Sequence, residues 1–266
     1  MSITYDVLHT RSSLAQQFEQ TGLQAGMHVI VHSSFKAMGG WVVGGAETVI
    51  HALMDVITRD GTLMMPTHTN NNTDPQYWEN PPVPSEWWQT IRDETPPYNP
   101  LTSITSQMGT IAENFRRFPL VFRSSHPMGS FAVWGKHAQW LTESQPLEAM
   151  FGEESPLARL YQIGGHIFLL GVGHDNNTSL HLAEHRAKIT PRIIDEGCAM
   201  WIDGQRQWVT YRMLDYDDDD FGKLGDAYER QYHPYIIGKV GNATTRLLPM
   251  RPLLDYAVWW LEQNRS

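Results

Sequence analysis

The run Gly165-His-Ile-Phe-Leu-Leu-Gly-Val-Gly173 is the clearest strand signal in the chain. It is apolar throughout and lacks the in-and-out alternation of a strand with one wet face, the pattern of a central strand covered on both sides. It is followed by His174-Asp-Asn-Asn-Thr-Ser-Leu-His-Leu-Ala-Glu-His185. This stretch opens as a short polar loop and continues as a helix, with Asn177 or Thr178 placed to cap it through a side-chain oxygen. A strand that hands over to a helix at its carboxyl end is a common setting for active sites.

Upstream of this unit the same alternation recurs. Ser12 to Gln20 suggests a short helix, and Met27-His-Val-Ile-Val-His32 reads as a strand. Gly44 and Gly45 lead into a helix that carries Ala46, Val49, Ile50, Leu53 and Ile57 on one face. Asp60-Gly61 marks a turn, and Thr62-Leu-Met-Met65 is a short buried strand closed by Pro66. From Thr67 to Pro100 the periodicity dissolves into Asn, Pro, Trp and Asp, so a long irregular loop is expected at about 67–100, of the kind that forms a lid or a binding loop. Trp78, Trp87 and Trp88 are expected mainly to pack it onto the body. Regular structure resumes near Gly109. Arg192 to Met213 holds two strand-like runs separated by Asp203-Gly204, a hairpin signal, and Leu253 to Leu261 reads as a helix. The sum is an α/β fold with a mixed central sheet flanked by helices. The 266 residues fit a single domain over 1–266.

Composition narrows the function. A net charge of −9 argues against nucleic acid as a partner and is compatible with a cationic one. The one cysteine, Cys198, excludes a disulfide framework and a multi-cysteine zinc site. No leader pattern and no apolar run of about 20 residues is seen, so the expectation is a cytoplasmic protein with no membrane partner.

The chemistry concentrates after the central strand. Thr178, His181 and Glu184 recur at intervals of three and share one helical face. An imidazole can take a proton near neutral pH, a carboxylate beside it orients the ring, and a hydroxyl with backbone N–H groups suits a developing oxyanion. A rival lies in the same letters: His181-Leu-Ala-Glu-His185 matches the His-x-x-Glu-His zinc pattern, which would make a hydrolase of His181, Glu184 and His185. A second constellation, His32-Ser-Ser-Phe-Lys-Ala-Met-Gly-Gly40, joins a strand to a glycine-rich loop whose backbone can approach a phosphate or pantetheine chain, with Lys36 adding charge. Arg123, in Arg123-Ser-Ser-His-Pro127, is a further phosphate candidate, and Asp215-Tyr-Asp-Asp-Asp-Asp220 reads as a solvated face or helix start, or equally as an acidic wall for a polycation.

Taken together, His32-Ser-Ser-Phe-Lys36, Gly61-Thr-Leu-Met-Met-Pro-Thr67, Arg123-Ser-Ser-His-Pro127 and Gly171-Val-Gly-His-Asp-Asn-Asn-Thr-Ser-Leu-His-Leu-Ala-Glu184 resemble the aminoglycoside 3-N-acetyltransferase family. They occur in the family's order and cover most of the first 190 residues; the C-terminal third matches more loosely. The resemblance implies the antibiotic N-acetyltransferase fold, distinct from the GNAT acetyltransferases. It implies acetyl-CoA as co-substrate, no metal, and the 3-amino group of a deoxystreptamine aminoglycoside as acceptor. It implies His181 as general base, Glu184 as its partner and Thr178 near the thioester carbonyl. Ser33, Ser34, Phe35 and Lys36, with Thr67 and Arg123, are implied donor-binding residues. Asp215, flanked by Asp217 and Asp218, is the implied aminoglycoside contact. Another amine metabolite as acceptor, and a non-catalytic CoA-binding role, are the alternatives.

Overall fold

The computed structural model describes residues 6–232 and 236–265. Its strands are β1 (Leu8–His9), β2 (His28–Ser33), β3 (Trp41–Val42), β4 (Thr62–Pro66), β5 (Phe122–Arg123), β6 (Phe131–Gly135), β7 (His166–Leu170), β8 (Ile193–Ile202), β9 (Gln205–Leu214), β10 (Ile236–Val240) and β11 (Ala243–Pro249). Its α-helices are α1 (Arg11–Gln20), α2 (Ala46–Ile57), α3 (Trp88–Glu94), α4 (Gly109–Phe115), α5 (Ala138–Thr142), α6 (Pro156–Gln162), α7 (His181–Arg186), α8 (Phe221–Gln231) and α9 (Met250–Asn264). None of the helices is long and apolar enough to cross a membrane.

Seven strands form one sheet in the order β10-β11-β7-β2-β4-β6-β5. The three in the middle, β7, β2 and β4, run parallel; β11 and β10 extend the sheet antiparallel on one side, β6 and β5 on the other. Side chains on successive strand residues point to opposite faces. Val29 and Val31 of β2 therefore join α1, α2 and α4 in one apolar layer, while Ile30 joins the layer made with α5, α6, α7, α8 and α9. Both faces of β7 are covered, which is why its sequence is apolar without alternation. Each large apolar side chain fully enclosed in these layers contributes roughly 1.5–3 kcal/mol over an exposed one.

The predicted elements survive with moved ends. β7 stops at Leu170, because Gly171 turns the chain at φ +69°, a left-handed conformation that a side chain there would strain. A Cβ on Gly171 would also lie 2.5 Å from that of Ala37, so this glycine lets the turn after β2 pack against the end of β7. The hairpin β8–β9 forms around Asp203-Gly204 in full register and stands apart from the main sheet as its own two-stranded ribbon.

The 67–100 segment is less irregular than its letters suggest. It contains α3 and two short 3-10 turns, and it is tied to the hairpin. The Asn72 amide accepts from Ala199 N (2.8 Å) and donates to Ala199 O (3.0 Å), acting as a strand partner would. Asp74 N donates to Glu196 Oε1 at 2.6 Å. Of its tryptophans, Trp87 is exposed, while Trp78 and Trp88 are half-buried.

Helix α8 reaches the sheet side of the molecule only because position 225 is glycine: a Cβ there would sit 2.0 Å from Cγ of the buried His174 ring. His174 Nε2 is 2.9 Å from Glu229 Oε1, and Arg246 Nε donates to the same oxygen at 2.6 Å, so the loop after β7 is pinned to α8 and β11. Gly225→Ala is expected to lower stability by about 1–3 kcal/mol, because overpacking outweighs alanine's better helix propensity. A thermal-unfolding midpoint equal to or above that of wild type would show that the His174 contact does not constrain α8.

Candidate active site

The carboxyl ends of the three parallel strands converge on one place, the position where open α/β sheets carry their sites. β2 delivers His32 and the turn from Ser33 to Met38, β4 delivers Thr67 and His68, and β7 delivers the loop that ends in α7. The entry to α7 is tighter than a simple capped helix. Asn177, and not Thr178, caps the turn, accepting from Ser179 N at 3.3 Å. A 3-10 turn over Thr178–Leu180 precedes the α-helix, which begins at His181.

On α7, His181 Nδ1 donates to Glu184 Oε2 at 2.5 Å. The other carboxylate oxygen accepts from Arg265 Nη1 at 2.5 Å and from Asp217 N at 3.2 Å. The Glu184 side chain is only 2% exposed, so it is a buried anion satisfied from three directions. Burial works against charge on Arg265, but hydrogen bonds to Asp220 and Glu184 outweigh it and hold the guanidinium above its usual pKa. The His181 ring lies flat on Phe151, at 5.0 Å and 9°, with Tyr216 edge-on at 5.2 Å and Phe221 tilted at 4.9 Å. These rings fix the imidazole plane, and Nε2 makes no hydrogen bond to the described residues.

Two further imidazoles share the neighbourhood. His32 and His68 are each depressed to about 3, chiefly by burial and then by neighbouring histidines, His181 among them. Both are therefore neutral near pH 7, and the Nε2 of each is buried without a partner among the described residues. His68 packs on Phe131 (5.6 Å) and Phe151 (5.4 Å), so it belongs to the same aromatic wall as His181.

The remaining expected site residues divide. Ser33, Ser34 and Phe35 are half-buried at the end of β2 and Lys36 is exposed; Ser34 Oγ accepts from Ala37 N, while the Ser33 hydroxyl and the Lys36 ammonium have no partner among the described residues. Thr178 is half-buried on the turn before His181. Thr67 is fully buried against Ser130. Arg123 donates to Thr67, Ser130, Thr69 and the carbonyls of Pro100, Ser103 and Thr67, so its guanidinium braces the 67–103 segment. Asp215 pairs with Arg192 at 2.7 Å, Asp217 Oδ1 accepts from Asp219 N, and Asp218 is exposed. For the zinc reading, His185 Nε2 is engaged at 2.5 Å from the Tyr216 hydroxyl. Among the described residues no group of three or more His, Cys, Asp or Glu is arranged to hold a metal ion.

Arg265, Phe151 and His68 were not foreseen. Arg265 lies 81 residues from the carboxylate that it pairs with, and no local spacing signals such a contact.

The sequence model for aminoglycoside 3-N-acetyltransferases matches residues 30–262. The chain belongs to this family. A Bacillus subtilis prophage-derived aminoglycoside N(3')-acetyltransferase-like protein, YokD, is 42% identical over 97% of this chain and 94% of its own. The aminoglycoside N(3)-acetyltransferase III of Pseudomonas aeruginosa is 34% identical over 97% and 96%. The crystal structure of YokD superposes with a TM-score of 0.94 at 41% identity, covering 98% of this chain and 96% of the other. A CoA complex, AAC-IIIb with CoASH, gives 0.87 at 28% identity over 98% of both chains. Sisomicin-bound AAC-VIa gives 0.87 at 26%, over 98% of this chain and 100% of the other. By family the chain is an acyltransferase, and the mixed α/β fold is the family's.

The single thiol bears on how an acyl group would travel. Cys198 is 0% exposed on β8, and burial with the nearby Glu196 pushes its thiol up to about 12. Native protein is expected to be inert to a disulfide-exchange reagent and to release one equivalent of thiol only on denaturation; rapid labelling of the folded protein would contradict this burial.

Proposed function

We propose that this chain is a cytoplasmic aminoglycoside N3-acetyltransferase, one catalytic domain over residues 1–266, which moves an acetyl group from acetyl-CoA to the 3-amino group of a deoxystreptamine aminoglycoside. The observation that carries this reading is the 2.5 Å bond between His181 Nδ1 and Glu184 Oε2, which leaves Nε2 as the basic nitrogen in an aromatic-walled site. Relatives support the two substrates: one solved family structure is named for its CoA complex and another for bound sisomicin.

The donor fits the turn after β2. Its small residues let a pantetheine or phosphate approach the backbone, and the Ser33 hydroxyl and Lys36 ammonium have no partner among the described residues. When bound, the donor supplies an activated acetyl carbonyl. Thr67 and Arg123, hydrogen-bonded to each other, brace the wall on the donor side. Thr178 lies one turn before the base, where its hydroxyl can donate to the oxygen that gains charge.

An ammonium group has no lone pair for attack, so the amine must give up a proton. His181 Nε2 takes it, Glu184 stabilises the resulting imidazolium, and Arg265 holds Glu184 in place. The carbon–nitrogen bond forms as the thioester carbon–sulfur bond breaks, and the thiolate leaves with a proton. Transfer does not pass through a thiol acyl-enzyme, because Cys198 is enclosed and no other thiol exists. Asp215, Asp217 and Asp218 lie on the loop that also closes over Glu184, and there they lend negative potential for a polycation.

His181→Ala should lower kcat for sisomicin by about 10²–10⁴-fold while acetyl-CoA binding is retained, read as thiol release from acetyl-CoA. Equal rates in mutant and wild type would remove His181 from the chemistry. No release by wild type with any aminoglycoside, alongside tight CoA binding, would point to a different amine acceptor.

A further inference from the structure

A cavity of about 510 Å³, of ordinary ligand size, opens between the 70–83 segment and the start of β8. Its walls include Asn70, Asn71, Tyr77, Trp78, Glu79 and Glu196, and among the described residues no Lys, Arg or His lines it. That chemistry repels phosphate and suits an ammonium, which gains from aromatic faces and carboxylates together. The two rings are held in place: Trp78 Nε1 donates to Thr73 Oγ1 at 2.8 Å and the Tyr77 hydroxyl donates to Asp195 O at 3.1 Å.

Glu196 is the group without an explanation. It is 3% exposed, and its Oε1 accepts from both Asp74 N (2.6 Å) and Gly197 N (2.7 Å), which ties the segment to the hairpin. Its Oε2 has no hydrogen-bond partner among the described residues, although the side chain lines the cavity. The neighbouring acid Asp74 is already paired with Arg92 at 2.7 Å. The cavity is linked to the reaction site through the chain that follows β4. Met128, another wall residue, accepts Thr69 N through its carbonyl, and the preceding residue, His68, packs on the Phe151 ring that stacks against His181.

We propose that this cavity is a subsite for a second, non-reacting ammonium group of the acceptor, with Glu196 Oε2 receiving it between Tyr77 and Trp78. The proposal rests on the amine-acetylation reading above and adds a specificity residue to it. Acceptors with amino groups beyond the reacting ring are selected here, while Asp215, paired with Arg192, contributes less. Burial pushes the Glu196 carboxyl up to about 7, the two backbone N–H groups oppose this, and Asp74 adds to the rise; an incoming cation favours the ionised form.

The test is calorimetric titration of sisomicin into wild type, Glu196→Gln and Trp78→Leu, with thiol-release kinetics on sisomicin and on 2-deoxystreptamine, which carries only the reacting ring. Glutamine keeps the acceptor for Asp74 N and Gly197 N. It also removes a charge whose raised pKa favours the fold below the usual carboxylate range and loses that advantage as pH rises through about 7. The Glu196→Gln variant should therefore unfold no lower than wild type above about pH 7. Glu196→Gln is expected to weaken sisomicin binding and raise its KM on the order of tenfold, with little change in kcat, in acetyl-CoA KM or in 2-deoxystreptamine kinetics. Trp78→Leu should show the same selectivity. Sisomicin affinity and KM equal to wild type in both variants would overturn the subsite while leaving the acetylation reading intact. Weakened sisomicin binding in both variants, with no acetyl transfer by wild type, would do the reverse.

Discussion

The site depends on one buried carboxylate. Glu184 is almost completely removed from water, a position that costs several kcal/mol unless each lone pair is met. His181, Arg265 and the backbone at Asp217 meet them. Those partners come from α7, from the segment after α9 and from the loop between β9 and α8, so one anion draws three parts of the chain to the ends of the parallel strands. It also sets the imidazole's tautomer, because a ring that donates from Nδ1 presents Nε2 as its lone pair.

A parallel arrangement stands behind it. His174, Glu229 and Arg246 repeat the histidine–carboxylate–guanidinium order, but His174 is enclosed and holds the loop after β7 against α8. The two sets use the same chemistry for different ends. One keeps an imidazole at the site with a free nitrogen; the other commits both nitrogens to fixing the loop that carries the first. Gly225 is what allows the second to exist, by leaving room for a ring where any side chain would collide.

The fold was legible where periodicity is strong. The apolar run at β7, the amphipathic α2 and the Asp203-Gly204 hairpin could be read from their letters, and the spacing of His181 and Glu184 on one short segment anticipated their hydrogen bond. Less legible was anything held by distant contacts. Helix α3 lies in a stretch of Pro, Trp and Asn, and it is secured by Arg206 donating to the carbonyls of Arg92 and Thr95 on its last turn, which no local pattern encodes. β10 is interrupted by Gly238 and carries exposed Ile236 and Ile237, so its pattern resembles a loop more than an edge strand. Arg123 looked like a free cation because sequence shows charge and not its partners. Glu196 looked like an ordinary hairpin residue because burial of a carboxylate cannot be read from its neighbours in sequence.

The central claim is that Glu184 holds the His181 proton on Nδ1 and so makes Nε2 the base. The most direct test is a ¹⁵N NMR spectrum of histidine-labelled protein, with His181 assigned by substitution, above the pH at which the ring is neutral. The account predicts a proton on Nδ1 and an unprotonated Nε2 signal that shifts when sisomicin binds. A neutral ring carrying its proton on Nε2 would contradict it, since that nitrogen could then accept nothing from an amine.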